Sequence, residues 1–289
     1  MSANYPFSLR IFVADGDPDG LRIVERSNWI GKALMFPRTI FPSIKQRNEF
    51  AQTGVYLLLG PRDDGDGEQI YIGEGDPVKP RLESHYASKD FWNRAVFFTS
   101  TGSTLNKAHV QFLEARLITL ASEAKRSPLD NKNQPAESHL SEADRADMDV
   151  FLEHLLGMLP VLGIYAFEQP KRTTKNSQPE TLYLDSKGMQ ARGYESSQGF
   201  IVLNGSQAML KEQPSAATHA RGAVELRADL KERGVIKEEG NELIFTQDFS
   251  FSSPSTAASV ILGRAANGRT EWKDKQGKAL KAIQEEDAK

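Results

Sequence analysis

The chain has 289 residues, 39% of them hydrophobic and 26% charged, and it has no cysteine. That length suits two or three soluble domains with a sizeable core, and the missing thiols exclude disulfides, cysteine nucleophiles and cysteine-ligated zinc. A net charge of −3 excludes the strongly basic profile of a protein held to nucleic acid by charge alone.

The opening stretch MSANYPFSLR lacks an apolar targeting core, and no run reaches the length of a membrane span, so a cytoplasmic location without a membrane partner is expected. Residues 1–51 read as an N-terminal β segment. Leu9, Ile11 and Val13 alternate onto one strand face, and the DGDPDG cluster that follows is turn-rich. Asp15, Asp17, Asp19 and Gly20 open like a calcium loop, but the twelfth position needs a bidentate glutamate and is Arg26, and Pro18 interrupts the run. A hairpin turn accounts for it better. LRIVERSNWIGKALMFPR then reads as further strand.

Residues 52–135 read as strand, turn, strand, helix, strand, helix. GVYLLLG and QIYIGEG form a hairpin across the acidic DDGDGE turn, and tyrosine suits a half-buried sheet. PVKPRLESHYAS is a short helix with Pro77 or Pro80 near its start, and RAVFFTS is a third strand. In NKAHVQFLEARLITLASEAKR the apolar stripe Val110, Leu113, Leu117, Leu120, Ala124 has helical spacing. SPLDNKNQPAES closes the unit as a loop.

Residues 136–161 carry six carboxylates against one arginine, which leaves a small positive charge on the rest of the chain. A helix is expected from near Ser141 to Pro160, with acids in its first turns, where the helix dipole favours them, and Met148, Phe151, Leu152, Leu155, Leu156 and Leu159 on one side. It is read as a connecting helix with a solvated acidic face. In residues 162–289 the strand candidates are GIYAFEQ, TLYLDSKG, MQARGYESSQGFIVLNGSQA and NELIFTQDF. HARGAVELRADLKERG is a helix closed by Gly234, and PKRTTKNSQPE is a loop tip. Ser253 caps a further helix with Pro254 at its first position and Gly263 at its end, and KAIQEEDAK is expected to fray. The fold class is α+β: a small three-stranded sheet flanked by helices, an N-terminal β segment, and a separate C-terminal α+β domain.

Glu114 is the most informative single residue. On a helical wheel it falls at the edge of the apolar stripe, where a carboxylate is costly unless paired or metal-bound. A salt bridge to Arg116 or Arg81 is the plain alternative. Arg81 and His85 lie four apart and share a helix face. Such an arginine can clamp a phosphate and such a histidine can move a proton near neutral pH, although a lone Arg/His pair on a helix is usually only surface.

In chain order, GVY, YIG, Arg81, His85 and Glu114 resemble the GIY-YIG nuclease family over residues 52–135. Fourteen residues separate the two tyrosines, more than in compact members. The family's terminal asparagine is matched best by Asn131 in LDN, with Asn133 second. The resemblance implies that both tyrosines face a metal centre. It implies that Tyr56 helps deprotonate the attacking water, Tyr71 holds water or phosphate, and Arg81 neutralises the phosphate. His85 would orient or deprotonate the Tyr56 phenol, and Glu114 would hold one Mg²⁺ (or Mn²⁺) that stabilises the leaving oxygen. A tyrosine base is unusual given an ordinary pKa of about 10, but a nearby metal and arginine favour phenolate.

WIGKALMFPR and GYESSQGFIVLNGSQA resemble the flanking regions of bacterial GIY-YIG proteins whose C-terminal domain has no assigned function. SPSTAASVILGRAANGRTEW is similar to small modules associated with restriction and DNA-methylation systems; a cap with Trp272 as plain core is the alternative. Arg264, Arg269, Lys273, Lys275 and Lys278 cluster around this block, diluted by Glu271 and Asp274. The expected function is therefore a metal-dependent DNA endonuclease, in restriction or defence, with a C-terminal DNA-sensing domain. The competing expectation is a non-catalytic or regulatory nucleic-acid-binding protein that keeps the nuclease fold.

Overall fold

A computed structural model of the chain describes residues 6–62, 68–102, 104–168, 180–186, 188–196, 199–214, 216 and 220–287. Most of the DDGDGE turn and nearly all of the PKRTTKNSQPE loop lie outside the described residues. The chain divides into two compact units, Met1–Arg62 with Glu68–Phe167, and Glu168–Lys289. The architecture is mixed α+β with antiparallel sheets.

The first unit contains β1 (Leu9–Val13), β2 (Arg22–Arg26), β3 (Gly31–Pro37), the short α1 (Phe41–Ile44), β4 (Gly54–Pro61), β5 (Glu68–Gly75), α2 (Lys79–Ser88), β6 (Arg94–Ser100), α3 (Lys107–Ala124) and α4 (Glu142–Met158). Its sheet has six strands in the order β1-β2-β3-β6-β4-β5, not three. The N-terminal strands are continuous with it, because β3 pairs antiparallel with β6 from Gly31–Ser100 to Pro37–Arg94. The physical reason is in β3 itself: Ala33, Leu34, Met35 and Phe36 are all buried, and a strand buried on both faces must be interior. Residues 21–38 are two strands, separated by a turn in which Asn28 takes a left-handed conformation (φ 56°) that asparagine tolerates. The DGDPDG cluster is the β1–β2 connection, in which Asp15 and Asp17 side chains accept from the Asp17 and Asp19 amides.

Period-two alternation on β4 divides the unit into two cores. Val55, Leu57 and Leu59 face α3 and α4, against Val110, Leu113, Leu117, Phe151 and Leu155. Tyr56 and Leu58 face the other way, with Leu82 of α2, Phe50, Trp92 and Phe97. The helix read as a connector is thus part of the first unit's core. Ser141 caps it, accepting from the Asp144 amide. In GIYAFEQ residues 163–168 form no strand, and Gln169 lies outside the described residues: Gly163 takes φ 76°, and Ile164 and Ala166 are buried in the α3/α4 core.

The second unit contains β7 (Leu182–Ser186), β8 (Met189–Ser196), β9 (Gly199–Val202), β10 (Gln207–Met209), α5 (Arg221–Glu232), β11 (Ile236–Glu239), β12 (Glu242–Phe245), β13 (Phe249–Phe251), α6 (Pro254–Leu262), α7 (Gly268–Glu271) and α8 (Leu280–Asp287). These strands form a four-stranded sheet, β13-β9-β8-β7, and a three-stranded one, β10-β12-β11. Ser253, Pro254 and Gly263 start and end α6 through the expected capping chemistry. The tail expected to fray is helical as far as Asp287, anchored by buried Leu280 and by Lys281 paired with Glu285 one turn on. Buried Arg227 of α5 donates to the carbonyls of Val260, Met209 and Leu210 and pairs with Glu212 at 3.4 Å.

Candidate active site

β5 is an edge strand of the first sheet, and α2 and α3 both pack against it. The register sets Tyr56 opposite Gly73 and Leu58 opposite Tyr71. Tyr56 and Tyr71 therefore lie on the same face as diagonal neighbours, with ring centroids 6.3 Å apart. Gly73 is a steric requirement of this arrangement. A Cβ there would stand 2.4 Å from the Tyr56 Oη, so any side chain would push the ring aside.

α2 carries Arg81 and His85 on one face, one turn apart. His85 is 8% exposed, and its Nε2 lies 2.8 Å from the Tyr56 Oη. Burial first, then the positive charges of Arg81 and Lys89, push its pKa down to about 4, so the ring is neutral at pH 7. The fully buried Tyr56 phenol is pushed far up, by burial first and then by Tyr71, against the pull of Arg81. The Tyr56 hydroxyl therefore keeps its proton and shares a hydrogen bond with Nε2 of the neutral imidazole. The Arg81 guanidinium lies close enough to the same phenol to favour its ionised form. Burial thus outweighs the arginine, and in the protein by itself the phenolate expected from a cationic neighbour does not form.

Glu114 comes from α3, partly buried beside Leu113. It forms no hydrogen bond or ion pair among the described residues. Arg116, an expected partner, pairs instead with Glu137 at 3.5 Å. Burial, then the nearby Glu74 carboxylate, raises the Glu114 pKa to about 7, while Arg81 and Lys107 pull it back. Glu74 itself is held by Lys107 at 2.6 Å. Glu114 and Tyr71 open into a cleft of about 340 Å³, whose lining includes Lys89, Ile118 and Asn133. No group of three or more potential metal-ligating side chains exists among the described residues.

Asn131 lines the same cleft and is fixed to the backbone of β5. Its Oδ1 accepts from the Ile72 amide at 2.9 Å and its Nδ2 donates to the Ile72 carbonyl at 2.7 Å. With the Pro128 carbonyl accepting from the Ile70 amide and the Asp130 amide donating to the Ile70 carbonyl, residues 128–131 strap the open edge of β5. Asn131 holds the strand that carries Tyr71, and it lines the cleft together with Asn133. Sequence reasoning passed over Lys89 and Asp130. Lys89 continues the Arg81, His85 series by one more turn, which is the signal that could have found it.

In the second unit Trp272 is core. It is fully buried, packs on Phe200 with ring centroids 4.5 Å apart, and donates to the Pro254 carbonyl at 3.1 Å. Most cations of that cluster are engaged locally: Arg264 with Glu271, Arg269 with Gln284, Lys278 with Glu286. Lys273 and Lys275 line a second cleft of about 400 Å³ with Asp185, Glu271 and Asp274. No helix among the described residues is long and apolar enough to cross a membrane.

Residues 182–284 match DUF4357, a domain of unknown function. The C-terminal part of the chain is therefore a domain without an assigned role. Comparison with curated proteins and with solved structures finds no match.

Proposed function

We propose that the first unit is a metal-dependent endonuclease of the GIY-YIG type that hydrolyses DNA phosphodiester bonds. The observation that carries this reading is the Tyr56–His85 hydrogen bond, with Arg81 on the same phenol and an uncommitted, partly desolvated Glu114 nearby. Structural packing alone offers no reason to keep a carboxylate without a partner at that depth.

Arg81 neutralises a phosphate as negative charge builds on it. Tyr71, at the cleft, orients water or a phosphate oxygen. The attacking water gives its proton to the Tyr56 oxygen as that oxygen passes its own to neutral His85, so the high acidity barrier of a buried phenol is relieved by transfer through it. Glu114 fits a Mg²⁺ or Mn²⁺ ion that keeps most of its ligands as water and substrate oxygens, which needs only one or two carboxylates. Such an ion, when bound, polarises a phosphate oxygen and stabilises the leaving oxygen.

The test is relaxation of supercoiled plasmid by the full chain, with Mg²⁺, with Mn²⁺ and with EDTA, beside an equivalent RNA. Divalent-dependent nicking of DNA is the expected result. No cleavage of DNA with either metal would remove the reading in favour of a non-catalytic nucleic-acid-binding role.

A further inference from the structure

Arg81 and His85 share one face of α2, and Lys89 follows four residues on as the C-cap, where the backbone turns extended (φ −119°, ψ 127°). The first two meet Tyr56. Lys89, which caps the helix, meets Tyr71 instead: its ammonium lies over the ring, 4.5 Å from the centroid. The His85 ring approaches Tyr71 with a centroid distance of 4.7 Å and a tilt of 60°. Tyr71 is therefore bounded by a cation and an imidazole, both from α2.

Lys89 also forms an ion pair with Asp130, in the strap whose next residue, Asn131, bonds the Ile72 backbone on both sides. One ammonium thus joins the end of α2, the ring of Tyr71 and the strap along β5. Stability is a weak reason for such a pair, since a partly exposed ion pair contributes about 1 kcal/mol or less. Its placement is more telling, because Lys89 and Asp130 line the same cleft as Tyr71 and Glu114.

We propose that Lys89, held by Asp130, is a positioning residue that fixes the Tyr71 ring in the cleft. As a statement about catalysis this rests on the hydrolytic reading of the site. The charged groups facing Tyr71 come from three elements. Arg81 and Lys89 of α2 favour its phenolate, Glu114 of α3 and Asp130 of the strap oppose it, and burial, the largest influence, keeps the phenol above its ordinary value. Removing one ammonium is therefore a change that Tyr71 itself reports.

The experiment titrates Tyr71 in the full, metal-free chain by NMR of tyrosines labelled at Cζ, with Tyr71→Phe assigning the signal. Lys89→Met should raise the titration midpoint, and Lys89→Arg, which keeps the cation, should restore it. An unchanged midpoint in Lys89→Met overturns the proposal. Should that variant fail to fold, an unchanged midpoint in Lys89→Gln does the same. In plasmid nicking, Lys89→Met should lose up to about 100-fold in kcat, the scale of a small misplacement at a reacting centre, with KM nearly constant; an unchanged kcat counts against it. If the wild-type chain does not nick DNA, the hydrolytic reading falls, and the Tyr71 titration still decides whether Lys89 governs that phenol.

Discussion

Replacing Glu114 with glutamine should make the first unit more stable at alkaline pH. The folded protein holds this carboxyl at about 7 against an ordinary value of 4.5, through burial and Glu74. A carboxyl raised in the folded state contributes stability that is fully present below about 4.5 and lost as pH rises through about 7. At roughly 1.4 kcal/mol per unit the ceiling is about 3 kcal/mol, and water at the cleft mouth reduces it to about 1–2 kcal/mol. Glutamine carries no charge to desolvate, so the variant should exceed the wild type by that amount at pH 8, with the gap closing toward pH 4.5. His85 acts in the opposite sense. Its pKa of about 4 against 6.5 adds stability above about 6.5 that is lost as pH falls through 4. It is common to both proteins, so it cancels from the difference. Calorimetry at pH 5, 6.5 and 8 without divalent metal reads the effect. A variant equal to or less stable than the wild type at pH 8 would refute the claim that Glu114 is an unpaired, desolvated carboxylate.

Gly73→Ala should displace the Tyr56 ring, given a Cβ position 2.4 Å from its hydroxyl, at a cost of about 1–3 kcal/mol measured by denaturant unfolding; a tolerated alanine would contradict the packing described. Asn131→Ala should destabilise β5 by about 1–3 kcal/mol through two lost backbone bonds, and Asn133→Ala should cost less, so amide hydrogen exchange at Ile72 should accelerate only in the first. Arg227→Met should destabilise the second unit by about 3 kcal/mol, because buried carbonyls lose their donor; a neutral melting temperature would count against that role. Lys273→Gln with Lys275→Gln should lower any DNA affinity of the C-terminal unit and flatten its salt dependence, and identical polarisation titrations would exclude that cleft as a DNA contact.

What was legible in the sequence was local. A helix start near Ser141, Ser253 as a cap, Pro254 inside a helix start and Gly263 at its end depend on chemistry within one turn, and the helical spacing of Arg81 and His85 does too. Strand partners are set by residues far apart. Nothing near Gly31–Pro37 names Arg94–Ser100 as its neighbour, so an N-terminal extension of the sheet was missed even though the run ALMF signals burial on both faces. Segments with few residues mislead in both directions. GIYAFEQ alternates like a strand, yet residues 163–168 form none and seat Ile164 in a core, while the acidic tail looks too polar to order until Leu280 and its ion pairs hold it. In the site, the paired tyrosines were an implication of the family resemblance, and their shared face is set by the β4–β5 register. The pairing of Asn131 with Ile72 and the approach of Lys89 to Tyr71 depend on a loop returning to the sheet edge, which no spacing encodes.

The central claim is that the edge of β5 carries a hydrolytic site that works through Glu114. The measurement that tests it most directly is the ratio of divalent-dependent plasmid nicking rates between the wild-type chain and Glu114→Gln, both shown by calorimetry to be folded. The account predicts a fall of about 100-fold or more, the scale of losing a group that stabilises charge in the transition state. Equal rates in the two proteins would contradict it.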